Sequence, residues 1–237
     1  MVARVLRWLT AAAVSGALLW QPSTVAAAGE ADAYAFLSQR SGFDLVARWN
    51  PCAPIGYRVN LDRAPRESLT EVQVAVARIA AATGLTFSYA GPTQVVPGRT
   101  PVDYPPDTQL IIAWGTPETD KTDIAGIGGA VYSPGQTESG APALIIDKGM
   151  VLLDAARTAS MARGFGAAGN VTTGQLLLHE LGHAVGLAHP LVDDPTEIMY
   201  PWLSNRATTW GAGDLAGLRE VGANGGCLHH DPAPATV

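Results

Sequence analysis

Residues able to do chemistry are concentrated in one short stretch, HELGHAVGLAH at positions 179–189. His179 and His183 are four residues apart, so on a helix both imidazoles leave the same face and can bind one metal ion. Glu180 lies about 100° around the helix axis from His179, which places its carboxylate beside the ion rather than among the ligands. We therefore predict a metal site with a proton acceptor next to it.

A third histidine can join this site only if the helix ends before it. On a continued helix His189 would lie about 240° around the axis from His183, on the far side. Gly186 stands where a left-handed helix cap would be placed, a conformation that glycine adopts without strain. We expect the chain to reverse at Gly186 and to bring His189 back to the other two histidines.

Three neutral imidazoles around one ion favour a single zinc with one open position, because structural zinc sites are closed by a fourth protein ligand. Zinc lowers the pKa of bound water to roughly 7 and polarises a carbonyl, while Glu180 would take the proton and pass it to the leaving amine. The expected reaction is hydrolysis of a peptide bond without a covalent intermediate. Two alternatives stay open: a zinc-containing binding or adhesion module without catalysis, and a zinc amidase that acts on cell-wall peptides.

Length and composition narrow the class of protein. The chain has 237 residues, of which 47% are hydrophobic and 15% are charged, with a net charge of −6. This balance indicates a folded domain with a core and argues against a nucleic-acid or anionic-membrane partner. We expect a monomer that acts on protein or peptide substrates.

Residues 1–28 have the pattern of a signal peptide. Arg4 and Arg7 precede the apolar run WLTAAAVSGALLW, and the small residues at 26–28 offer a cleavage site after Ala28. Thirteen apolar residues are too few to span a hydrocarbon core of ~30 Å. The sequence therefore predicts a secreted, extracellular protein that is not held in a membrane after processing.

The chain has two cysteines, Cys52 and Cys227. An even count in an exported protein favours a disulfide between them, which would tie the C-terminal region to the first strand. The alternative is two separate thiols, one of which ligates a metal.

Periodicity and turn signals place the elements that must position the histidines. They predict strands over residues 57–62, 85–91, 108–115, 130–132 and 141–149. Helices are predicted over residues 66–83, from 171 onward and over 214–221, while residues 151–170 have no clear pattern beyond a possible helical turn. We expect a short leader over residues 29–48, one domain over 49–228 and a flexible tail over 229–237.

The histidine stretch fits HExxHxxGxxH and so resembles the zinc signature of the metzincin metalloproteases. The later EIMYP is similar to their Met-turn, with Met199 as a hydrophobic base below the ligands, and its Met-Tyr-Pro form is similar to matrixins. RWNPCAPIGYRVN also resembles the opening of matrixin catalytic domains. The overall pattern looks like that of secreted, actinobacterial-type matrixin proteases.

This resemblance implies an α+β fold, a twisted five-stranded mixed sheet with one antiparallel edge strand, packed on three helices. It also implies that residues 128–132 pair with an extended substrate and that residues 201–210 shape the pocket after the cleaved bond. Asp214 would brace the Met-turn or cap the last helix. The NPCAP stretch looks like a matrixin cysteine switch, but it adjoins the first strand, so the Cys52–Cys227 disulfide is favoured.

A calcium ion is a further possibility in the acidic loops. Its candidate ligands are Asp103, Asp107, Asp120, Asp123 and Asp147.

Overall fold

A computed structural model describes residues 29–98, 102–119, 124–166 and 169–230. The predicted signal peptide lies outside these residues. No helix in the described part of the chain is both long enough and apolar enough to cross a bilayer.

The described residues form a mixed α+β fold built on a twisted sheet. The strands are β1 (Ala35–Phe36), β2 (Ala47–Arg48), β3 (Ile55–Asn60), β4 (Phe87–Pro92), β5 (Leu110–Gly115), β6 (Gly126–Thr137), β7 (Pro142–Asp154), β8 (Leu187–Ala188) and β9 (Leu228–His230). Six of them are hydrogen-bonded side by side in the order β4-β3-β5-β7-β6-β9. Strand β2 stands outside this order and pairs with β7. The first four strands of that order are parallel, whereas β6 runs antiparallel to both β7 and β9.

Over the residues that the structure describes, the main sheet therefore has seven strands, and the prediction of five was wrong. The additional strands β2 and β9 contain two and three residues, which is too short for an alternating pattern to be visible. The predicted antiparallel strand is present as β6, but it extends over twelve residues instead of three, and β9 covers one end of its outer edge.

The described residues also form five α-helices. They are α1 (Leu37–Arg40), α2 (Ser68–Thr83), α3 (Ala155–Ser160), α4 (Thr173–Ala184) and α5 (Ala212–Glu220), followed by a 3₁₀ turn over Ala223–Gly225. Helices α2, α4 and α5 correspond to the three predicted ones. Helix α1 was not predicted, because a single turn carries no apolar stripe. Helix α3 lies within residues 151–170, where the sequence indicated only a possible helical turn.

The core lies between the sheet, α2 and α4. Helix α2 buries Val72, Val76 and Ile79, which share one face, in the same core cluster as Ile112 of β5 and Leu177 of α4. The helix ends at Gly84, whose φ of 73° forms a left-handed cap.

Residues 29–48, which were predicted to form a short leader, contain two strands that pair with other parts of the described chain. Strand β1 pairs antiparallel with β8, next to the third histidine, and β2 pairs in parallel with β7. Ala33 is completely buried, and the indole N–H of Trp49 donates to the carbonyl of Ala184 at 3.1 Å. The N–H of Leu37 donates to the carbonyl of Gly186 at 2.9 Å, so this segment, together with Trp49 directly after it, supports the chain at the C-terminal end of α4.

The C-terminal region is fastened to the start of the domain by a Cys52–Cys227 disulfide, with a Cα–Cα distance of 5.4 Å. Asn50 strengthens the junction, because its side-chain oxygen accepts the N–H groups of both Cys52 and Leu228. His229 and His230, which were expected in a flexible tail, lie in β9.

Removing this disulfide should destabilise the domain strongly, since it closes a loop with a sequence separation of 175 residues. Chain-entropy arguments give about 5 kcal/mol as an upper figure for the double substitution Cys52→Ser with Cys227→Ser. Urea unfolding of wild type and variant measures the difference. An unchanged unfolding midpoint, or two reactive thiols in the folded wild type, would refute the prediction.

Candidate metal centre

Helix α4 carries the first two histidines and is completely enclosed. Its N-cap is Thr172, whose hydroxyl accepts the N–H of Gln175 at 3.1 Å, as the capping spacing predicts. Leucines on several sides of the helix, including Leu177 and Leu181, are fully buried. The helix is thus held from all directions, and the directions of its side chains are fixed by packing.

Backbone carbonyls orient the two imidazoles of α4. Nδ1 of His179 donates to the carbonyl of Ile198 at 2.7 Å, and Nδ1 of His183 donates to the carbonyl of Leu187 at 2.8 Å. A proton on each Nδ1 leaves the Nε2 lone pair available as a ligand.

His189 reaches the same point because the chain reverses at Gly186. The helix ends at Ala184, and Gly186 follows with a φ of 112°, in the left-handed region that was predicted for it. The next two residues form β8, which pairs with β1. Arg40 donates to the carbonyl of His189 at 3.0 Å and holds the end of this turn.

The three Nε2 atoms converge. Nε2 of His189 lies 3.1 Å from that of His179 and 3.2 Å from that of His183, and all three ligand atoms lie within 4.8 Å of one another. Four ligands at the zinc–nitrogen distance of about 2.0–2.1 Å in a tetrahedron would be about 3.3 Å apart. The arrangement therefore fits a zinc ion, and the group could bind one.

The protonation states of the histidines also suit a metal. Burial lowers the pKa of His179 to about 4, against the opposing effect of its bond to Ile198. Burial, followed by the neighbouring imidazoles, places the pKa of His183 well below its usual value. Both rings are therefore neutral at pH 7, which is the form that binds metals.

Glu180 lies beside the three histidines, next to the glycine-rich start of β6. Burial raises the pKa of its carboxyl to about 8, and a hydrogen bond from the N–H of Gly128 opposes this rise. A Cβ atom at Gly126 would come within 2.8 Å of the Glu180 carboxylate, and one at Gly128 would collide with the Glu180 backbone. Glycines at these two positions let the strand approach the helix closely enough to enclose the carboxylate.

Met199 is packed against the middle of α4. Its side chain is 1% exposed, and a Cβ atom at Gly182 would collide with its sulfur. The residue thus fills the space beside the helical turn that carries His179 and His183.

Asp214 supports this turn from α5. Its carboxylate accepts the N–H groups of Ile198, Met199 and Gly211, at 3.0 Å for Met199 and 2.9 Å for Gly211. The N-cap of α5 is Gly211, so Asp214 occupies the third position of the helix and not the cap. The prediction that Asp214 is the N-cap was therefore wrong, although its carboxylate bonds to the backbone of the cap residue Gly211. Its bonds to Ile198 and Met199 are those of a residue that braces the Met199 turn.

Glu197 was missed by the sequence reasoning, and it is the counterpart of Asp214. Its carboxylate accepts the N–H groups of Gly213 and Asp214, at 3.1 and 2.6 Å. These two hydrogen bonds cap the N-terminus of α5. A side chain at Gly211 would collide with it. An acidic residue two positions before Met199, with a glycine at the cap position, is the signal that could have revealed it.

A cavity of about 700 Å³ opens beside the three histidines and Glu180. Its other lining residues are Ile124, Ala125, Gly126, Ile127, Gly128, Leu176, Pro201, Trp202 and Leu203. The predicted segments 128–132 and 201–210 thus reach the cavity only through Gly128 and through residues 201–203.

The acidic candidates for calcium do not assemble in the described residues. The three histidines are the one group of three metal-binding side chains that comes together there, and Asp103, Asp107 and Asp147 join no such group. Asp147 lies 3.4 Å from His230 instead. Asp120 and Asp123 lie outside the described residues.

Comparison with known proteins supports a peptidase. The sequence model of the family Peptidase M66 matches residues 156–214, a region that contains α4, His189, Met199 and Asp214 but less than half of the chain. No curated protein matches the chain. The partial family match and the three-histidine group together suggest a zinc metallopeptidase.

Zinc should bind at one ion per chain and raise the melting temperature, because it binds the folded state; a hundredfold excess over Kd adds about 2.7 kcal/mol. His183→Ala should abolish both effects, and His229→Ala, an exposed histidine of β9, should leave them intact. Zinc analysis and thermal unfolding provide the test. Stoichiometric zinc in folded His183→Ala would contradict this assignment.

The Glu197–Asp214 pair should make stability depend on pH. Burial, followed by the charge of Asp214, raises the pKa of Glu197 from 4.5 to about 7. A carboxyl group of this kind stabilises the fold fully below pH 4.5 and loses that contribution as the pH rises through about 7. The wild type should therefore lose stability relative to Glu197→Gln over this interval.

Urea unfolding across the same pH range measures the difference between the free energies of unfolding of wild type and Glu197→Gln. The histidines are the same in both proteins, so their titration cancels in this difference. Glu220→Gln, at an exposed position of α5, should follow the wild type. Parallel curves for wild type and Glu197→Gln would show that the pair does not carry the pH dependence.

Proposed function

We propose that this chain is a zinc-dependent endopeptidase of the matrixin-like branch of the metzincins, exported by the signal peptide predicted at residues 1–28. Its ligands are His179, His183 and His189, and Glu180 is the general base. The observation that carries the proposal is the convergence of three Nε2 atoms, with the buried Glu180 carboxylate beside them, on the wall of one open cavity.

Zinc in this site would supply Lewis-acid activation of a water molecule and of the scissile carbonyl. Glu180 would take a proton from that water and deliver it to the leaving amine. Burial raises the pKa of Glu180 to about 8, whereas a nearby cation lowers it. These opposing effects suit a base that must work near neutral pH.

The substrate would lie extended along β6 and continue past the metal site. The outer edge of β6 carries no described strand between Gly126 and Pro134, so its backbone groups can pair with a peptide. Beyond the scissile bond, the cavity is bounded by Leu176, Pro201 and Leu203, which favours an apolar side chain there.

The partial match to Peptidase M66 supports a metallopeptidase, while the branch rests on the sequence HELGHAVGLAH and the turn at Met199. Glu180 distinguishes the proposal from a silent binding module, since a purely structural zinc site needs no buried carboxylate beside the ion.

Glu180→Gln is the decisive variant. It should keep one zinc per chain and lose about 10²–10⁴ in kcat against a mixed peptide library, because only the proton acceptor is removed. Glu220→Gln, an exposed position on α5, is the matched control and should keep full activity.

Product analysis by mass spectrometry separates the remaining outcomes. Cleavage at internal bonds by wild type alone supports an endopeptidase. Cleavage of cell-wall peptides without any cleavage of protein substrates would assign a zinc amidase. Zinc binding without hydrolysis of either class by the wild type would assign a binding module.

A further inference from the structure

The three histidines of the metal centre are not held in the same way. His179 and His183 lie on the enclosed helix α4, and their side chains are buried. His189 lies beyond that helix, directly after the two-residue strand β8, and it is only partly buried. The position of the third ligand therefore depends on the contacts that hold this short strand and the residue after it.

These contacts come from the start of the domain. Among the described residues, β8 has one partner strand, which is β1, and Phe36 lies opposite Leu187 in this antiparallel pair. The N–H of Leu37 donates to the carbonyl of Gly186 at 2.9 Å. The chain that follows α4 is thus fixed by β1 and α1 as far as Ala188, where the ladder ends.

A side chain holds the backbone of His189 beyond the end of this ladder. Arg40, in the last turn of α1, donates from its guanidinium to the carbonyl of His189 at 3.0 Å. A guanidinium keeps its charge at all physiological pH values, and a charged donor makes a stronger hydrogen bond than a neutral one. Arg40 therefore fixes the third ligand at the one point that the strand pair does not reach.

The same strand pair also supports the second ligand. The carbonyl of Leu187 accepts the Nδ1 proton of His183 at 2.8 Å, and Leu187 is the residue that lies opposite Phe36. Loosening of β1 would thus disturb the orientation of the His183 ring as well as the position of His189. Groups that orient metal ligands typically contribute a factor of 10–100 to metal affinity.

We propose that the packing of residues 35–40, which form β1 and α1, is coupled to zinc binding through His189, with Arg40 as the positioning residue. Two ligands stay on α4, so His189 is the ligand whose displacement lets the ion leave. Bound zinc in turn stabilises the packed segment, because a coupling free energy between two sites is reciprocal. The proposal rests on the zinc ligands of the proposed function and not on peptide hydrolysis.

Release of zinc from the full chain tests the role of Arg40. Arg40→Ala should release zinc to an excess of EDTA about ten times faster than the wild type, since the third ligand loses its backbone anchor. Arg40→Lys keeps a charged donor and should recover part of the difference. Arg219→Ala, which removes an exposed arginine from the last turn of α5, is the matched control and should release zinc at the wild-type rate.

The visible absorption of cobalt bound in place of zinc separates positioning from a general loss of stability, because the spectrum reports the geometry of the ligands. Arg40→Ala should change the cobalt spectrum, and Arg219→Ala should not. Equal release rates for Arg40→Ala and wild type would overturn the proposal. Faster release with an unchanged cobalt spectrum and a lower melting temperature of the metal-free variant would assign Arg40 a purely structural role and overturn it as well.

Amide hydrogen exchange of the wild type tests the coupling from the other side. The N–H of Leu37, which bonds to Gly186, should exchange at least about ten times more slowly with zinc than without it. The N–H of Thr93, which bonds to Val59 at the β4 edge of the sheet, is the internal control and should not change. Equal exchange of Leu37 with and without zinc would show that the segment and the ion are not coupled.

Peptide hydrolysis distinguishes this proposal from the proposed function. Fast zinc release by Arg40→Ala and zinc-dependent protection of Leu37, without hydrolysis of any peptide by the wild type, would reject the endopeptidase and keep the coupling. Hydrolysis by the wild type, with equal zinc release by wild type and Arg40→Ala, would reject the coupling and keep the endopeptidase.

Discussion

Two backbone carbonyls determine where the imidazoles of the metal centre point. Nδ1 of His179 and Nδ1 of His183 donate to the carbonyls of Ile198 and Leu187, and neither carbonyl belongs to the histidine helix. A ring that rotated away from its carbonyl would leave a buried donor unpaired, which costs about 1–3 kcal/mol. The positions of the two rings therefore depend on the positions of the two segments that carry these carbonyls.

Each of those segments is in turn held by a distant part of the chain. Asp214 binds the N–H groups of Ile198 and Met199, and Glu197 returns two hydrogen bonds to the start of α5. Leu187 lies in β8, which depends on β1 for its pairing. The precision of the site thus comes from its supporting residues, as is general for metal centres in proteins.

The sequence was most informative where one residue type has a single structural use. Helical spacing predicted that His179 and His183 share a face, and Gly186 predicted the reversal that returns His189, because a positive φ is costly for other residues. The three longer helices were also visible in their apolar stripes. Elements of two or three residues, such as β2 and β9, were not visible, since their formation depends on a partner strand and not on their own residues.

The same limit applies to residues whose role lies in a remote contact. Residues 29–48 carry no periodic pattern, although they supply β1 and bury Ala33. Glu197 gave no signal by itself, because its role depends on a contact with a remote helix. Its carboxylate accepts the N–H of Gly213, at the start of α5 and sixteen residues later in the sequence. Burial of a charged side chain is a tertiary property, and a single sequence does not record it.

The packing of the first described residues against the last helix has a consequence for how the chain folds. A Cβ atom at Gly213 would collide with Ala33 and one at Gly217 would crowd Tyr34, so α5 closes directly over the start of the domain. Contacts of such large sequence separation slow folding, because the entropy of a long loop is lost before the contacts form. The residue whose carbonyl orients His179 is held by Asp214 of α5, so we expect the metal centre to be completed only after α5 has packed in place.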